Sequence, residues 1–202
     1  ARLYLAAAGY GTDKAIFGYG LTLSPSVLKG MSNLVSSSGV IATDVTGVGT
    51  SRYHLAAAGY GYDKAIFGFG NSGSYTGITN LVSNVGVISA DVAAVGIARA
   101  GRAGATYGGD KAIFGYGEAP NTAVTNLVSN TGVVSTDVTG VGTARETLAA
   151  TGYGGDKALF GFGSPSTAIT NLVSNSGVVA TDTTGVGTAR SGLAAAGYSL
   201  SA

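Results

Sequence analysis

Large apolar residues, small residues and glycines alternate along this chain in short bursts, and a turn closes each burst. KAIFGYG at 111–117 and KALFGFG at 157–163 read as aromatic-rich strands of period two. Ahead of them stand small-residue runs, LAAAGY at 5–10 and 55–60 and LAATGY at 148–153, whose alanines would also suit a helix. A glycine every few residues and the shortness of each run argue for strand. Gly-Thr-Asp-Lys at 11–14 and Gly-Gly-Asp-Lys at 154–157 supply the turn of a hairpin. Beyond a loop, TNLVS predicts a third strand. After Asn-Thr-Gly at 130–132 or Asn-Ser-Gly at 175–177, segments such as GVVSTDVTGVG predict a fourth.

The whole pattern recurs every 45 to 50 residues. An arginine precedes Asp-Lys by 11 residues at Arg2/Asp13, Arg52/Asp63, Arg99/Asp110 and Arg145/Asp156, and Arg190 begins a further copy. The units are therefore 2–51, 52–98, 99–144 and 145–189, with a partial unit at 190–202, and no linker divides them, so 1–202 reads as a single domain. Four short strands in such a period is the arithmetic of a propeller blade. The expected architecture is all-β: a β-propeller of four four-stranded repeats plus one surplus C-terminal strand.

GTAR followed by LAAT, a turn and ALFGFG resembles the kelch repeat, in which an arginine precedes a small-residue strand and a second strand ends in a glycine pair. Here the pair is replaced by Gly-x-Gly at Gly18/Gly20, Gly68/Gly70, Gly115/Gly117 and Gly161/Gly163, and the fourth-strand tryptophan is missing. The near-identical repeats are similar to those of kelch-like structural proteins of environmental bacteriophages. That resemblance implies a virion or appendage role, on an extracellular or virion surface.

Composition narrows the partners. Hydrophobic residues make up 45% and charged residues 10%, with 35 glycines, which suits a packed glycine-rich domain better than a disordered tract. A net charge of +1 offers no footprint for nucleic acid or an anionic membrane. No apolar run approaches the roughly 20 residues of a membrane-spanning helix. Neither nucleic acid nor membrane is expected as a partner. Without cysteine, disulfides and Cys-based zinc sites are excluded.

Spacing identifies a variable face. From Asn33, Asn80, Asn126 and Asn171 to the next arginine is always 19 residues, whereas Asp-Lys to asparagine runs 20, 17, 16 and 15. Length variation therefore falls in the loops between strands two and three, at 21–30, 71–79, 118–125 and 164–170. Strand parity puts these loops at the same end as the links between units, whose residues also vary. Insertions gathered on one face mark a binding face.

Sixteen of 21 charged residues are the same four per unit: Asp13, Lys14, Asp44, Arg52; Asp63, Lys64, Asp91, Arg99; Asp110, Lys111, Asp137, Arg145; Asp156, Lys157, Asp182, Arg190. Equal copies predict structural roles, the turn aspartates bonding their own backbone and the other aspartates and arginines bracing strands. The alternative is a ring of equivalent ion sites. Repeat-position aromatics predict core packing, leaving Tyr4, Tyr53, Tyr62 and Tyr75 outside the pattern. The expected ligand-binding set on the variable face is Tyr4, Tyr53, His54, Tyr75, Arg102, Glu118 and Glu146. Glu118 and Glu146 form the one carboxylate pair that could suggest glycoside hydrolysis. His54 has no triad or metal-like spacing around it, and neither cofactor, metal nor catalytic residue is expected.

These features predict a non-enzymatic structural or recognition module, with a lectin-like, carbohydrate-binding propeller as the alternative and a glycan-active enzyme as the remote one. A cell-surface glycan or protein is the expected partner class. A fifth first strand at Leu193 to Tyr198 has no unit of its own, and an open apolar edge templates association. A homo-oligomer or filament held through strand 192–199 is the corresponding expectation.

Overall fold

The computed structural model describes residues 1–118 and 120–197. Every regular element among them is a strand. The first unit holds β1 (Ala6–Tyr10), β2 (Lys14–Gly18), β3 (Leu21–Leu23), β4 (Ser26–Leu28) and β5 (Ser32–Val35). The second holds β6 (Ala56–Tyr60), β7 (Lys64–Gly68) and β8 (Thr79–Val82), and the third β9 (Ala103–Tyr107), β10 (Lys111–Gly115) and β11 (Thr125–Val128). The fourth holds β12 (Ala149–Tyr153), β13 (Lys157–Gly161) and β14 (Thr170–Val173).

Each unit is an antiparallel meander in which the aromatic strand lies between the small-residue strand and TNLV or its equivalent, as in β1-β2-β5 and β6-β7-β8. The hairpin register is the same throughout, with Ala7 opposite Phe17 and Ala57 opposite Phe67. The expected helix-free reading of the alanine runs is what the chain adopts. In the first unit the longer loop makes a hairpin of its own, β3 with β4.

The expected fourth strand is not a continuous strand. It touches the third only at isolated bridges, Val128 with Val134 and Thr125 with Val138, and equivalently in the other units. Between the two bridges the register slips by one residue, so an extra residue bulges out and the ladder breaks. The bulge has a use: it turns Asp91, Asp137 and Asp182 toward the preceding unit.

A unit has no core of its own. Ile16 and Tyr19 of the first unit pack with Leu55, Phe67 and Val82 of the second, and Ile113 and Tyr116 of the third pack with Leu148 and Phe160 of the fourth. Burial between neighbours, repeated along the chain, is how repeat proteins obtain a core. Small residues allow the close approach: a Cβ on Gly18 would lie 2.7 Å from the Phe67 ring, and one on Gly115 2.6 Å from that of Phe160. First strands pack in the order β1, β6, β9, β12. β1 and β12 do not pack as those neighbours do, so the described units form an open row.

Gly-x-Gly now has a physical reason. The residue between the glycines, Tyr19, Phe69, Tyr116 or Phe162, sits at a left-handed φ of 62–64°. That backbone turns each ring beneath the next unit's arginine, with Arg52 4.2 Å above Tyr19 and Arg145 4.3 Å above Tyr116. The second glycine must be bare, because a Cβ on Gly70 would stand 2.8 Å from the Tyr53 carbonyl.

Residues 190–197 lie against their own fourth unit. Arg190 covers Phe162 at 4.1 Å, Gly163 N–H donates to the Arg190 carbonyl, and Gly192 N–H donates to that of Thr147. The segment occupies the place of a first strand without forming one. Tyr198 and Ser199, the end of the expected strand, lie outside the described residues.

Candidate functional site

The repeated charges build the frame on which the site rests. Arg52 donates from Nε to the Phe69 carbonyl at 2.7 Å, from Nη1 to that of Thr50 at 3.0 Å, and from Nη2 to Asn80 Oδ1 at 2.7 Å. Asn80 in turn donates to Asp91 at 2.9 Å, and Asp91 accepts the Thr50 backbone N–H and hydroxyl from the preceding unit. Arg145, Asn171, Asp182 and Thr143 repeat this chain of bonds. Arg99 additionally approaches Asp137 at 3.5 Å. The arginines and aspartates thus brace units through an intermediary asparagine, which the equal spacing to the next arginine had singled out without explaining.

The turn aspartates take side-chain partners. Asp13, Asp63 and Asp110 each accept from the lysine that follows, at 2.8–2.9 Å, whereas Lys157 approaches Asp156 at 3.4 Å as an ion pair without a hydrogen bond. Asn130 and Asn175 donate to Asp110 and Asp156. Among the described residues no three His, Cys, Asp or Glu side chains gather to hold a metal ion.

At the opposite end from these turns, the links meet the starts of the variable loops. Bridges join Tyr53 to Asn71, Ala100 to Glu118 and Glu146 to Ser164. A second set of bonds crosses between units: His54 N–H to the Tyr4 carbonyl, Gly101 to His54, Thr147 to Gly101 and Gly192 to Thr147. All five residues have φ between 47° and 67°. Glycine meets that geometry freely, whereas Tyr4, His54 and Thr147 carry strain, which is common where function constrains the backbone.

This ladder gathers side chains from distant parts of the chain. The Tyr4 ring meets His54 edge-on at 4.2 Å and Tyr53 at 6.1 Å, and Tyr53 lies 5.0 Å from His54. His54 Nδ1 is 3.8 Å from Glu118 Oε1, beyond hydrogen-bond reach. Burial lowers the His54 pKa, against an opposing pull from Glu146, so the imidazole is neutral near pH 7. Burial raises Glu146, and its interaction with the neighbouring Glu118 carboxyl raises it further. Tyr75 is raised first by the Glu118 charge, then by its own desolvation and by Glu146. Tyr4, Tyr53, His54, Tyr75, Glu118 and Glu146 therefore share one electrostatic neighbourhood. Tyr4 is 54% exposed and Tyr75 39%.

Beside the cluster a groove of about 480 Å³ runs along the row, walled by Tyr4, His54 and Thr147 and floored by Leu5, Leu55 and Leu148. Arg102 occupies the floor position that is leucine in every other unit. It lines the groove but is buried: it is 6% exposed, 3.8 Å over the Phe69 ring, and its three guanidinium nitrogens have no hydrogen-bond partner among the described residues. Burial, reinforced by the nearby Arg99 charge, pulls its pKa well below the ordinary value. Sequence reasoning missed the strained column of Tyr4, His54 and Thr147. The glycines standing at its other two positions, Gly101 and Gly192, were the available signal.

No protein-family model matches this chain, and no curated protein matches it.

Proposed function

We propose that the chain is a non-enzymatic structural and recognition module, a run of kelch-like β-propeller blades from a virion or extracellular appendage that offers one variable face to a ligand. The observation that carries this reading is the division of chemistry between the two ends. Repeated charges are consumed in bonds within and between units, while the non-repeated Tyr4, Tyr53, His54, Glu118 and Glu146 collect at the link end. The kelch resemblance and the meander of each unit support the propeller reading.

A carbohydrate is the ligand class the cluster favours. Exposed tyrosine faces stack on sugar rings, and the adjacent carboxyl groups accept hydrogen bonds from hydroxyls. A glycan array tests the reading. Wild-type chain should bind a subset of glycans, and Tyr53→Ala should lose roughly tenfold or more in affinity. Binding to none, or equal binding by the variant, would remove the carbohydrate reading.

A further inference from the structure

The three internal unit interfaces are near copies of one another, and the two outer faces of the row carry the two unmatched halves of that interface. Internally, the second-strand phenylalanine of one unit presses on the second-strand glycine before it: Phe67 on Gly18, Phe114 on Gly68, Phe160 on Gly115. All three rings are fully buried. Phe17 meets no such glycine among the described residues and is only half-buried, as are Ala15 and Val35, whose equivalents are buried. Ile41 is 60% exposed where its equivalent Ile88 is 8%.

The trailing face shows the complementary deficit. Leu159 is half-buried where Ile16, Ile66 and Ile113 are fully buried, and Tyr153 is 37% exposed where Tyr10, Tyr60 and Tyr107 are 3–4%. A Cβ on Gly161 would meet its own Thr170 and Leu159 but no aromatic ring. The polar contacts match as well. Asp91, Asp137 and Asp182 each reach the glycine and backbone N–H of the unit before, at Gly49/Thr50, Gly96/Ile97 and Gly142/Thr143. On the outer faces, the space over Gly187 is open and Asp44 is exposed.

We propose that the face of Phe17 and Asp44 docks on the face of Gly161 and Gly187 of a second copy of this chain, head to tail. Phe17 then fills the space over Gly161, and Asp44 accepts from the Thr188 backbone N–H. The contact is heterologous, so it propagates into a ring or a filament according to the rotation per step. Segment 190–197 marks where the docked unit's first strand belongs. Leu193 to Tyr198 repeats Leu5 to Tyr10 residue for residue, so the slot accepts either strand, and whichever copy supplies it, the other is released. The proposal stands independently of ligand binding at the link end.

Sedimentation of the 202-residue chain and of two single-face variants tests it. Wild type should form oligomers that grow with concentration. Phe17→Asp and Gly161→Ala should each sediment as monomers. An equimolar mixture should give dimers, because the first variant keeps an intact trailing face and the second an intact leading face. Exposed Asp44→Arg, which leaves the monomer core untouched, should weaken assembly roughly tenfold. A monomeric wild type, unimpaired assembly of the folded variants, or a mixture that stays monomeric would overturn the proposal.

Discussion

Asp91 accepts the backbone N–H of Thr50 at 3.1 Å and its hydroxyl at 2.7 Å, across a sequence separation of 41 residues. Two consecutive units are joined there by a side chain that a one-residue bulge has turned out of its own ladder. The same carboxylate orients Asn80, which holds the buried Arg52. A single surface-lying aspartate thereby fixes the arginine that covers the aromatic ring of the unit before it.

Asp91→Ala should therefore cost about 1–2 kcal/mol, because it strips partners from the Thr50 N–H and from Asn80. Among the described residues Asp44 accepts only from Asn33, and Asp44→Ala should cost less than half as much in dilute monomer. Urea titrations of the two variants make the comparison. Equal losses would place the value of Asp91 within its own unit instead of between units.

Acid should unfold the row through the same carboxylates. Burial raises the pKa of Asp91 and Asp182, but hydrogen bonds from Thr50 and Asn80, or Thr143 and Asn171, outweigh it, and both pKa values lie below the ordinary 3.8. The charged form is favoured by folding, so this stability is present above the unfolded value and is lost as pH falls from about 4 through the folded values. Thermal melts across that range should show a steep decline, shallower in Asp91→Asn.

Glu146 works in the other direction. Its folded pKa is raised above 4.5, so the protonated form is favoured by folding, and the contribution present below 4.5 is lost as pH rises through the folded value. Glu146→Gln should melt higher than wild type at neutral pH and indistinguishably from it at pH below about 4. His54, whose pKa burial lowers, should add a loss of stability as pH falls from 6.5 through the folded value that is missing from His54→Gln.

Arg102→Leu should stabilise the chain by about 1–3 kcal/mol. It removes a buried cation whose guanidinium nitrogens lack hydrogen-bond partners among the described residues and restores the residue that Leu55 and Leu148 supply in neighbouring units, 5–6% exposed. Chemical denaturation measures the gain. A loss would mean that the guanidinium's contact with Phe69 outweighs its desolvation.

Thr147→Gly should raise stability by about 1 kcal/mol, since a β-branched residue at a φ of 47° is strained where Gly101 and Gly192 are not. Calorimetry of the pair would detect the difference, and a lower melting temperature would count against strain at this position.

The repeat period, the hairpin of alanine-rich and aromatic strands and the loop face at the links were legible in the sequence, because each depends on residues within a few positions of one another. Lys111 to Gly115 is a strand for reasons contained in KAIFG and the turn before it. Four things waited for the tertiary structure: the bulge that breaks the fourth strand, the core lying between units, the burial of Arg102 and the meeting of Tyr4 and His54 with Glu118 and Glu146. Each depends on how far one sheet is displaced and turned against the next. Near-identical units leave that relation unwritten locally, since Phe17 and Phe67 stand in the same sequence surroundings, KAIFG, yet Phe67 is fully buried against Gly18 and Phe17 is only half-buried.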